Sequence, residues 1–207
     1  DNPWADRYLN SDLYDRKPET REEIDQYKQA LLDERHAAGP DTDVVSIASL
    51  EELADYATQS NVHVEMEPGT YRFTLDNYAD FLTTGWYQFY RANGDNGVNQ
   101  YMALLDFTGD TSRYDLAGVT IEFDCRILNL SALATGSWSP LGVVAINANN
   151  QILRGLEIEM TTPGPYTPEG DWGKYYRENG AGALYVWGDY NLLEGVQVTD
   201  RGSTPYG

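Results

Sequence analysis

The chain has 207 residues, of which 41% are hydrophobic, and a formal net charge of −19 at pH 7. A chain of this length can bury the core of one domain, and no apolar run approaches the roughly 18 residues of a membrane-spanning helix. The negative charge argues against binding to nucleic acid through its phosphates, and the single cysteine, Cys125, excludes an intrachain disulfide. We therefore expect a globular protein with no transmembrane segment and no nucleic acid partner.

The N-terminal region, residues 1–43, is predicted to be a separate helical extension. Thr20 and Glu23 have the spacing of a capping box at the start of a helix, and His36 lies in the last turn before the Gly-Pro pair that ends it. One side of this helix carries an apolar stripe of Ile24, Tyr27, Ala30 and Leu31. We expect the stripe to lean on the rest of the protein and His36 to act as a helix-end cation.

A second helix and a first strand follow. Ser49 and Glu52 again have capping-box spacing, and apolar residues recur on one helical face at Leu50, Leu53, Ala54 and Ala57. The next stretch, "NVHVEMEPGTY", alternates apolar and polar residues from Val62 and turns at a Pro-Gly pair, which is typical of a strand with one buried face. In that pattern His63 points outward and is expected to be solvated.

Three segments repeat the same layout about forty residues apart. Each has a glycine (Gly118, Gly155 and Gly195) followed by strict alternation of apolar and polar residues. A second strand precedes the last two glycines at equal distance, through Ile146 and Val186, with Asn, Gly and Asp between. Short strands joined by turns, without helices between them, argue against a doubly wound α/β fold and favour a β-solenoid.

With the helix and the "PGTY" strand ahead of them, these repeats resemble the right-handed parallel β-helix (pectate-lyase-like) superfamily over residues 44–207. The resemblance implies an all-β solenoid with an N-terminal capping helix, to which the additional helix of residues 1–43 is attached. It also implies a carbohydrate-active protein that is secreted, periplasmic or at the cell surface. The function it implies is part of a polysaccharide-cleaving enzyme, either a glycoside hydrolase or a polysaccharide lyase.

Two aromatic-rich insertions, residues 75–101 and 162–182, interrupt the repeat and are the predicted substrate-binding loops. Aromatic rings among polar residues suit a polysaccharide or oligosaccharide, because a pyranose stacks its C–H face on a ring. The alternative is that the rings cover apolar surface of the repeat. The candidate binding residues are Trp86, Tyr90, Tyr166, Trp172, Tyr175 and Tyr176.

Aligning the glycines generates candidate catalytic residues, because it places outward residues of successive repeats in rows. Glu122 then lies over Glu159, a carboxylate pair that suits glycoside hydrolysis or binding of Ca²⁺, the one cofactor considered. Lyase chemistry instead requires a base and a cation, and Lys174, Arg177 and Arg201 supply these residue types. The alternative is a solvated charged face with no catalytic role.

The last repeat leaves an apolar row of Leu192, Val196 and Val198 with nothing predicted to follow it. We therefore expect the remaining part of the β-helix, or another subunit, to cover this open end. The competing functions are a non-catalytic surface solenoid that binds glycan or protein and a structural subunit that assembles through its open end.

Overall fold

A computed structural model describes residues 20–90, 96–127, 141–161 and 182–200. Within these ranges the chain forms three helices: α1 (Arg21–Ala37), α2 (Leu50–Ala57) and α3 (Tyr78–Phe81). The helix starts follow the capping signals of the sequence. Thr20 and Glu23 make both bonds of a capping box at α1, and the Ser49 side chain accepts from the Glu52 amide at α2.

The same ranges contain thirteen strands. The first seven are β1 (Val44–Ile47), β2 (His63–Met66), β3 (Gly69–Phe73), β4 (Thr83–Tyr90), β5 (Asn96–Phe107), β6 (Arg113–Asp115) and β7 (Val119–Asp124). The remaining strands are β8 (Leu141–Asn147), β9 (Ile152–Arg154), β10 (Glu157–Thr161), β11 (Gly182–Trp187), β12 (Leu192–Glu194) and β13 (Gln197–Asp200).

The strands belong to three separate sheets. Sheet A has the order β1-β2-β6-β9-β12, sheet B the order β13-β10-β7-β3, and sheet C the order β11-β8-β5-β4. Sheets A and B are parallel throughout, whereas β4 joins sheet C antiparallel to β5. From β5 onward the chain visits sheets C, A and B in that order three times.

The predicted fold class, an all-β right-handed parallel β-helix of the pectate-lyase-like superfamily, is wrong. The chain is an α/β protein with three separate sheets, one of them mixed, and with three helices in the described ranges. The main error lies in residues 75–101, which the sequence analysis interpreted as a binding loop. Within this segment, residues 75–90 and 96–101 are described and include α3, β4 and the first part of β5, and the antiparallel β4–β5 pair makes sheet C mixed. The division into residues 1–43 and 44–207 stays a prediction.

The register of the repeats is as the sequence predicts. Glu159 of β10 pairs with Glu122 of β7 and with Thr199 of β13, and Ile146 pairs with Val186 in sheet C. The repeating glycines Gly118, Gly155 and Gly195 have φ values of +79°, +76° and +62°. Glycine adopts this left-handed conformation without steric cost, so the same turn can recur between β6 and β7 and in the next two repeats.

One apolar core runs between the sheets. Its members come from all three sheets and from α2, whose Leu53 and Ala57 are fully buried. Phe107 and Tyr114 meet edge to face within it, with ring centroids 4.7 Å apart. The single cysteine, Cys125, is buried. Burial of the alternate residues explains why the sequence pattern identified these strands.

Helix α1 does not lean on the sheets by its apolar stripe, contrary to the expectation. Tyr27 and Leu31 are 40% and 38% exposed, and no residue of α1 is buried. Polar contacts of the last turn attach the helix instead: the His36 imidazole lies 3.2 Å from the Glu194 carboxylate, and the Arg35 guanidinium lies 4.6 Å from the Tyr190 ring centroid. His36 therefore takes part in a cross-element contact.

Candidate functional site

The outer face of sheet C carries a buried tyrosine bonded to a carboxylate. The Tyr101 hydroxyl donates to the two carboxylate oxygens of Asp106, which lie at 2.8 and 2.9 Å. The Asn147 side-chain amide donates to the same hydroxyl at 3.3 Å and to the Trp86 carbonyl at 2.9 Å. These contacts join β4, β5 and β8 into one polar group on the side of the sheet that faces away from the main core.

Three further aromatic rings pack beside the Tyr101 ring. Trp187 lies nearly parallel to Tyr87 at 4.6 Å (interplanar angle 15°) and to Tyr185 at 5.3 Å (9°), measured between ring centroids. Its ring is also 4.6 Å from that of Tyr101. We call Tyr87, Tyr101, Tyr185 and Trp187 the sheet C aromatic cluster. Tyr101 is fully buried, whereas the other three rings are partly exposed to solvent.

Two glycines provide the space in which these rings lie against the sheet. A methyl group added at Gly85 would lie 2.2 Å from Cζ of Tyr101, and one added at Gly142 would lie 2.6 Å from Cδ2 of Tyr185. Any larger residue at these positions has to displace a ring. The close approach of ring and backbone is therefore a property of glycine in these strands.

Burial changes the acid–base properties of the tyrosine–carboxylate pair. Burial raises the pKa of Asp106 from its ordinary value of 3.8, and the hydrogen bond from Tyr101 opposes that rise. Burial, followed by the hydrogen bond and charge of Asp106, raises the pKa of Tyr101 well above its usual range. A partly exposed carboxyl group with a raised pKa beside aromatic rings is a combination that often marks a functional site.

The predicted carboxylate pair, Glu122 and Glu159, lies in register on adjacent strands, but Glu122 also has an arginine partner. Glu159 and Glu122 are direct neighbours on adjacent parallel strands. The Arg72 guanidinium on β3, however, engages both Glu122 carboxylate oxygens, with Nη2 3.3 Å from Oε1. Glu122 therefore forms an ion pair across β3 and β7, which is the behaviour of a charged sheet face.

The other predicted catalytic and binding residues are placed as follows. Trp86 lies on β4 and is 60% exposed, on the face of the strand opposite to Tyr87. Tyr90 ends β4, and its side chain lies outside the described residues. The remaining candidates lie entirely outside the described residues: Lys174, Arg177, Arg201, Tyr166, Trp172, Tyr175 and Tyr176.

A row of charged side chains crosses the outer face of sheet A. Asp115 accepts from the ring of His63 and from Nε of Arg113, both at 2.9 Å, and Nη1 of Arg154 lies 3.4 Å away. Nε of Arg154 in turn lies 2.9 Å from Glu194. His63 is therefore partnered, and the expectation that it is simply solvated is wrong.

Asp115 is ionised more readily than an ordinary aspartate. Burial opposes its ionisation, but the hydrogen bonds from Arg113 and His63 outweigh that effect and hold its pKa below the ordinary 3.8. The row therefore stabilises the pairing of β2, β6, β9 and β12.

Binding of Ca²⁺ at the Glu122–Glu159 pair receives no support from the donor set. Within the ranges that the structure describes, no group of three or more His, Cys, Asp or Glu side chains is arranged to hold a metal ion. Calcium sites commonly use six to eight oxygen ligands, including several carboxylates. Two glutamates, one of them paired with arginine, do not approach that number.

None of the four rings of the sheet C aromatic cluster is among the candidate residues predicted from the sequence. Asp106 and Asn147 are not among those candidates either. One signal was available: Asp106 interrupts the apolar run "YMALLDF", and a charge inside such a run is either paired or functional. Its partner Tyr101 could not be inferred, because the two side chains meet across an irregular stretch of β5.

Comparisons with known proteins do not assign the chain to a family. No protein-family model matches the chain, and a search of curated proteins finds no significant match. The resemblance to the pectate-lyase-like superfamily therefore finds no support from this direction either. Of the described helices, none is long and apolar enough to span a membrane.

Proposed function

We propose that the protein binds glycan chains, as polysaccharide or oligosaccharide, at the sheet C aromatic cluster. The observation that carries this proposal is that three partly exposed, nearly parallel rings pack against the cluster that contains Tyr101, whose hydroxyl is bonded to a carboxylate and an amide. Sugars require both kinds of group, because their C–H faces pack on aromatic rings while their hydroxyls hydrogen-bond to carboxylates and amides.

The polar groups of the cluster retain capacity to bind a ligand. A carboxylate has about four acceptor positions, and the single Tyr101 hydrogen shared by the Asp106 oxygens occupies only part of them. Asp106 is partly exposed, so sugar hydroxyls can approach its remaining positions. A neutral sugar also avoids the repulsion that a chain of net charge −19 exerts on a polyanion.

Binding is favoured over cleavage as the function of this site. Hydrolysis of a glycosidic bond usually requires two carboxyl groups, about 5 to 10 Å apart, in separate roles. Among the described residues, the polar contacts of this site involve one carboxyl group, that of Asp106. Elsewhere, Glu122 on sheet B is engaged by Arg72, and the predicted lyase residues Lys174, Arg177 and Arg201 lie outside the described residues. Polysaccharide cleavage therefore stays a prediction from the sequence.

We further propose that the protein is secreted, periplasmic or at the cell surface, where glycan polymers are exposed. Fractionation of the producing cells with an antibody against the chain tests it. Recovery of the protein in the cytoplasm alone would contradict the placement.

Affinity gel electrophoresis against a panel of soluble neutral polysaccharides tests glycan binding. We expect at least one polysaccharide to retard the protein, and Trp187→Ala to weaken that binding by about tenfold through loss of the central ring. Trp187→Phe retains a ring and should bind more tightly than Trp187→Ala. Gly142→Ala should also weaken binding, because the new methyl group displaces the Tyr185 ring.

Trp86→Ala is the matched control, since it removes the same side chain from the opposite face of β4. We expect its retardation to equal that of the wild type. Near-UV circular dichroism checks that each variant retains its fold. Glycan binding at the sheet C cluster is refuted if no polysaccharide retards the wild type, or if Trp86→Ala abolishes binding while Trp187→Ala does not.

A further inference from the structure

The carboxylate of Asp106 lies on the same face of sheet C as the aromatic rings. In the parallel register Asp106 pairs with Ala145, and Ala145 pairs with Tyr185. Paired residues of neighbouring strands point to the same face of a sheet, so the three side chains form one row. Strands lie about 4.8 Å apart, which places Asp106 and Tyr185 about 10 Å from each other, on either side of the small Ala145 side chain.

The side chains of Tyr101 and Asn147 use all their donor hydrogens within the described structure. Tyr101 has one hydroxyl hydrogen, which it donates to Asp106 at 2.8 and 2.9 Å. Asn147 has two side-chain amide hydrogens, which it donates to the Trp86 carbonyl and to the Tyr101 hydroxyl. An ionised carboxylate only accepts, and the one tyrosine hydrogen leaves acceptor positions of Asp106 unoccupied. A group that binds to Asp106 must therefore donate hydrogen bonds.

Asp106 lacks the cationic partner that four other carboxylates of the sheets have. Within residues 20–90, 96–127, 141–161 and 182–200, no Lys, Arg or His side chain forms a salt bridge with Asp106. The four paired carboxylates each have an arginine partner, in the pairs Arg72–Glu122, Arg113–Asp115, Arg126–Asp124 and Arg154–Glu194.

The missing cation has an electrostatic consequence. Burial raises the pKa of Asp106, whereas arginine and histidine partners hold the pKa of Asp115 below its ordinary value. Both carboxylates are partly withdrawn from water, and the difference lies in the positive charge beside Asp115. A ligand that brings a positive charge to Asp106 would therefore stabilise its ionised form.

We propose that the glycan bound at the sheet C aromatic cluster carries free amino groups, and that Asp106 binds one of its ammonium groups. This inference rests on the glycan binding proposed above and names the class of glycan. An ammonium group supplies both a positive charge and three donor hydrogens, which are the two properties that Asp106 requires. The faces of tryptophan and tyrosine rings also attract cations. Neutral sugars supply hydroxyl donors without the charge, so they bind the same cluster more weakly.

The overall charge of the chain favours the same class of ligand. A net charge of −19 attracts a polymer of amino sugars, which is a polycation, and repels a polymer of uronates or sulfated sugars. Attraction of this kind is general to the whole surface and weakens as salt screens it. A test must therefore separate binding at Asp106 from attraction to an acidic protein.

Isothermal titration calorimetry with short chitosan oligosaccharides, before and after N-acetylation, tests the inference. The two probes share one sugar backbone, and acetylation removes the charge of each amine. At a pH slightly below neutral and at physiological ionic strength, we expect the wild type to bind the free amines about tenfold more tightly. This comparison uses the wild type alone, so it does not depend on the folding of any variant.

Asp106→Asn removes the charge and retains an oxygen that can accept from Tyr101. We expect this variant to bind both probes equally, with about the affinity of the wild type for the acetylated probe. Asp43→Asn is the matched control, because it removes the same charge from an exposed position immediately before β1 of sheet A. It should retain the preference for free amines.

Equal affinity of the wild type for the two probes overturns the inference, and so does a preference that survives in Asp106→Asn. An equal loss of preference in Asp106→Asn and Asp43→Asn also overturns it, because general charge then explains the preference. If neither probe binds while a neutral polysaccharide still retards the protein in electrophoresis, the amino-sugar inference fails and glycan binding stands. If no glycan of either kind binds, both proposals fail.

Discussion

Replacing Tyr101 by phenylalanine removes one hydroxyl group from a fully buried ring. That hydroxyl donates to the Asp106 carboxylate at 2.8 and 2.9 Å and accepts from Asn147 at 3.3 Å. A hydrogen bond to a charged group contributes about 1.5–3 kcal/mol, roughly twice the contribution of one between neutral groups. We therefore expect Tyr101→Phe to lower the free energy of unfolding by about 2 kcal/mol at neutral pH.

The cost of Tyr101→Phe should depend on pH in a direction set by Asp106. Its pKa is raised in the folded state above the ordinary 3.8, so its stabilising contribution is fully present below 3.8 and is lost as the pH rises through the folded-state pKa. The Tyr101 hydroxyl limits that loss because it donates to the ionised carboxylate. At about pH 3 the carboxyl group is neutral, and the cost of the substitution should fall to about 1 kcal/mol.

Urea unfolding, monitored by tryptophan fluorescence and far-UV circular dichroism, measures both quantities. Tyr114→Phe is the matched control, because the Tyr114 hydroxyl is equally buried but donates to a neutral acceptor, the Tyr56 carbonyl, at 3.0 Å. It should cost about 1 kcal/mol at both pH values. If Tyr101→Phe costs no more than Tyr114→Phe at neutral pH, or if its cost does not change with pH, the assignment of a buried, charge-assisted bond to Asp106 is wrong.

Four further substitutions test the repeat and its charged faces. Gly155→Ala should cost more than Gly195→Ala in urea unfolding, because both have positive φ but only at Gly155 would the new methyl group lie 2.7 Å from a neighbouring backbone atom; equal costs would contradict this. Asp115→Asn should destabilise the protein at neutral pH, and the difference from wild type should shrink as the pH falls below 3.8, since the lowered pKa stabilises the fold only above that value; a constant difference would refute it. Glu122→Gln should cost less than about 1 kcal/mol, because its ion pair with Arg72 is partly exposed to solvent, and it should leave glycan binding unchanged; a loss of glycan binding would contradict the placement of the site on sheet C.

Local pattern was sufficient for α2 and for the register of the repeats. The capping pair Ser49 and Glu52 marks the start of α2, and the alternation after each glycine places Glu122 beside Glu159. Both inferences depend on contacts between residues close in sequence or on a strict period of two. Such patterns can be recognised in a single sequence because the polarity of each residue indicates whether its side chain is buried.

Pattern was insufficient where a segment's partner decides its structure. Residues 83–90 contain glycine, threonine and aromatic residues that suit a polar loop as well as a strand, and only pairing with β5 makes them β4. The stripe on α1 is a second case, since amphipathic spacing predicts an apolar face but does not specify a partner for it.

By itself, the sequence determined the strands that follow the repeating glycines and the register in which successive repeats pair. It did so because the alternation of apolar and polar residues is a local property of the chain. Only the tertiary structure decided that three sheets are separate, that one is mixed, and that Trp187, Tyr101 and Asp106 meet on sheet C. Those contacts join residues far apart along the chain or across an irregular strand, and their geometry depends on how the sheets pack around one core.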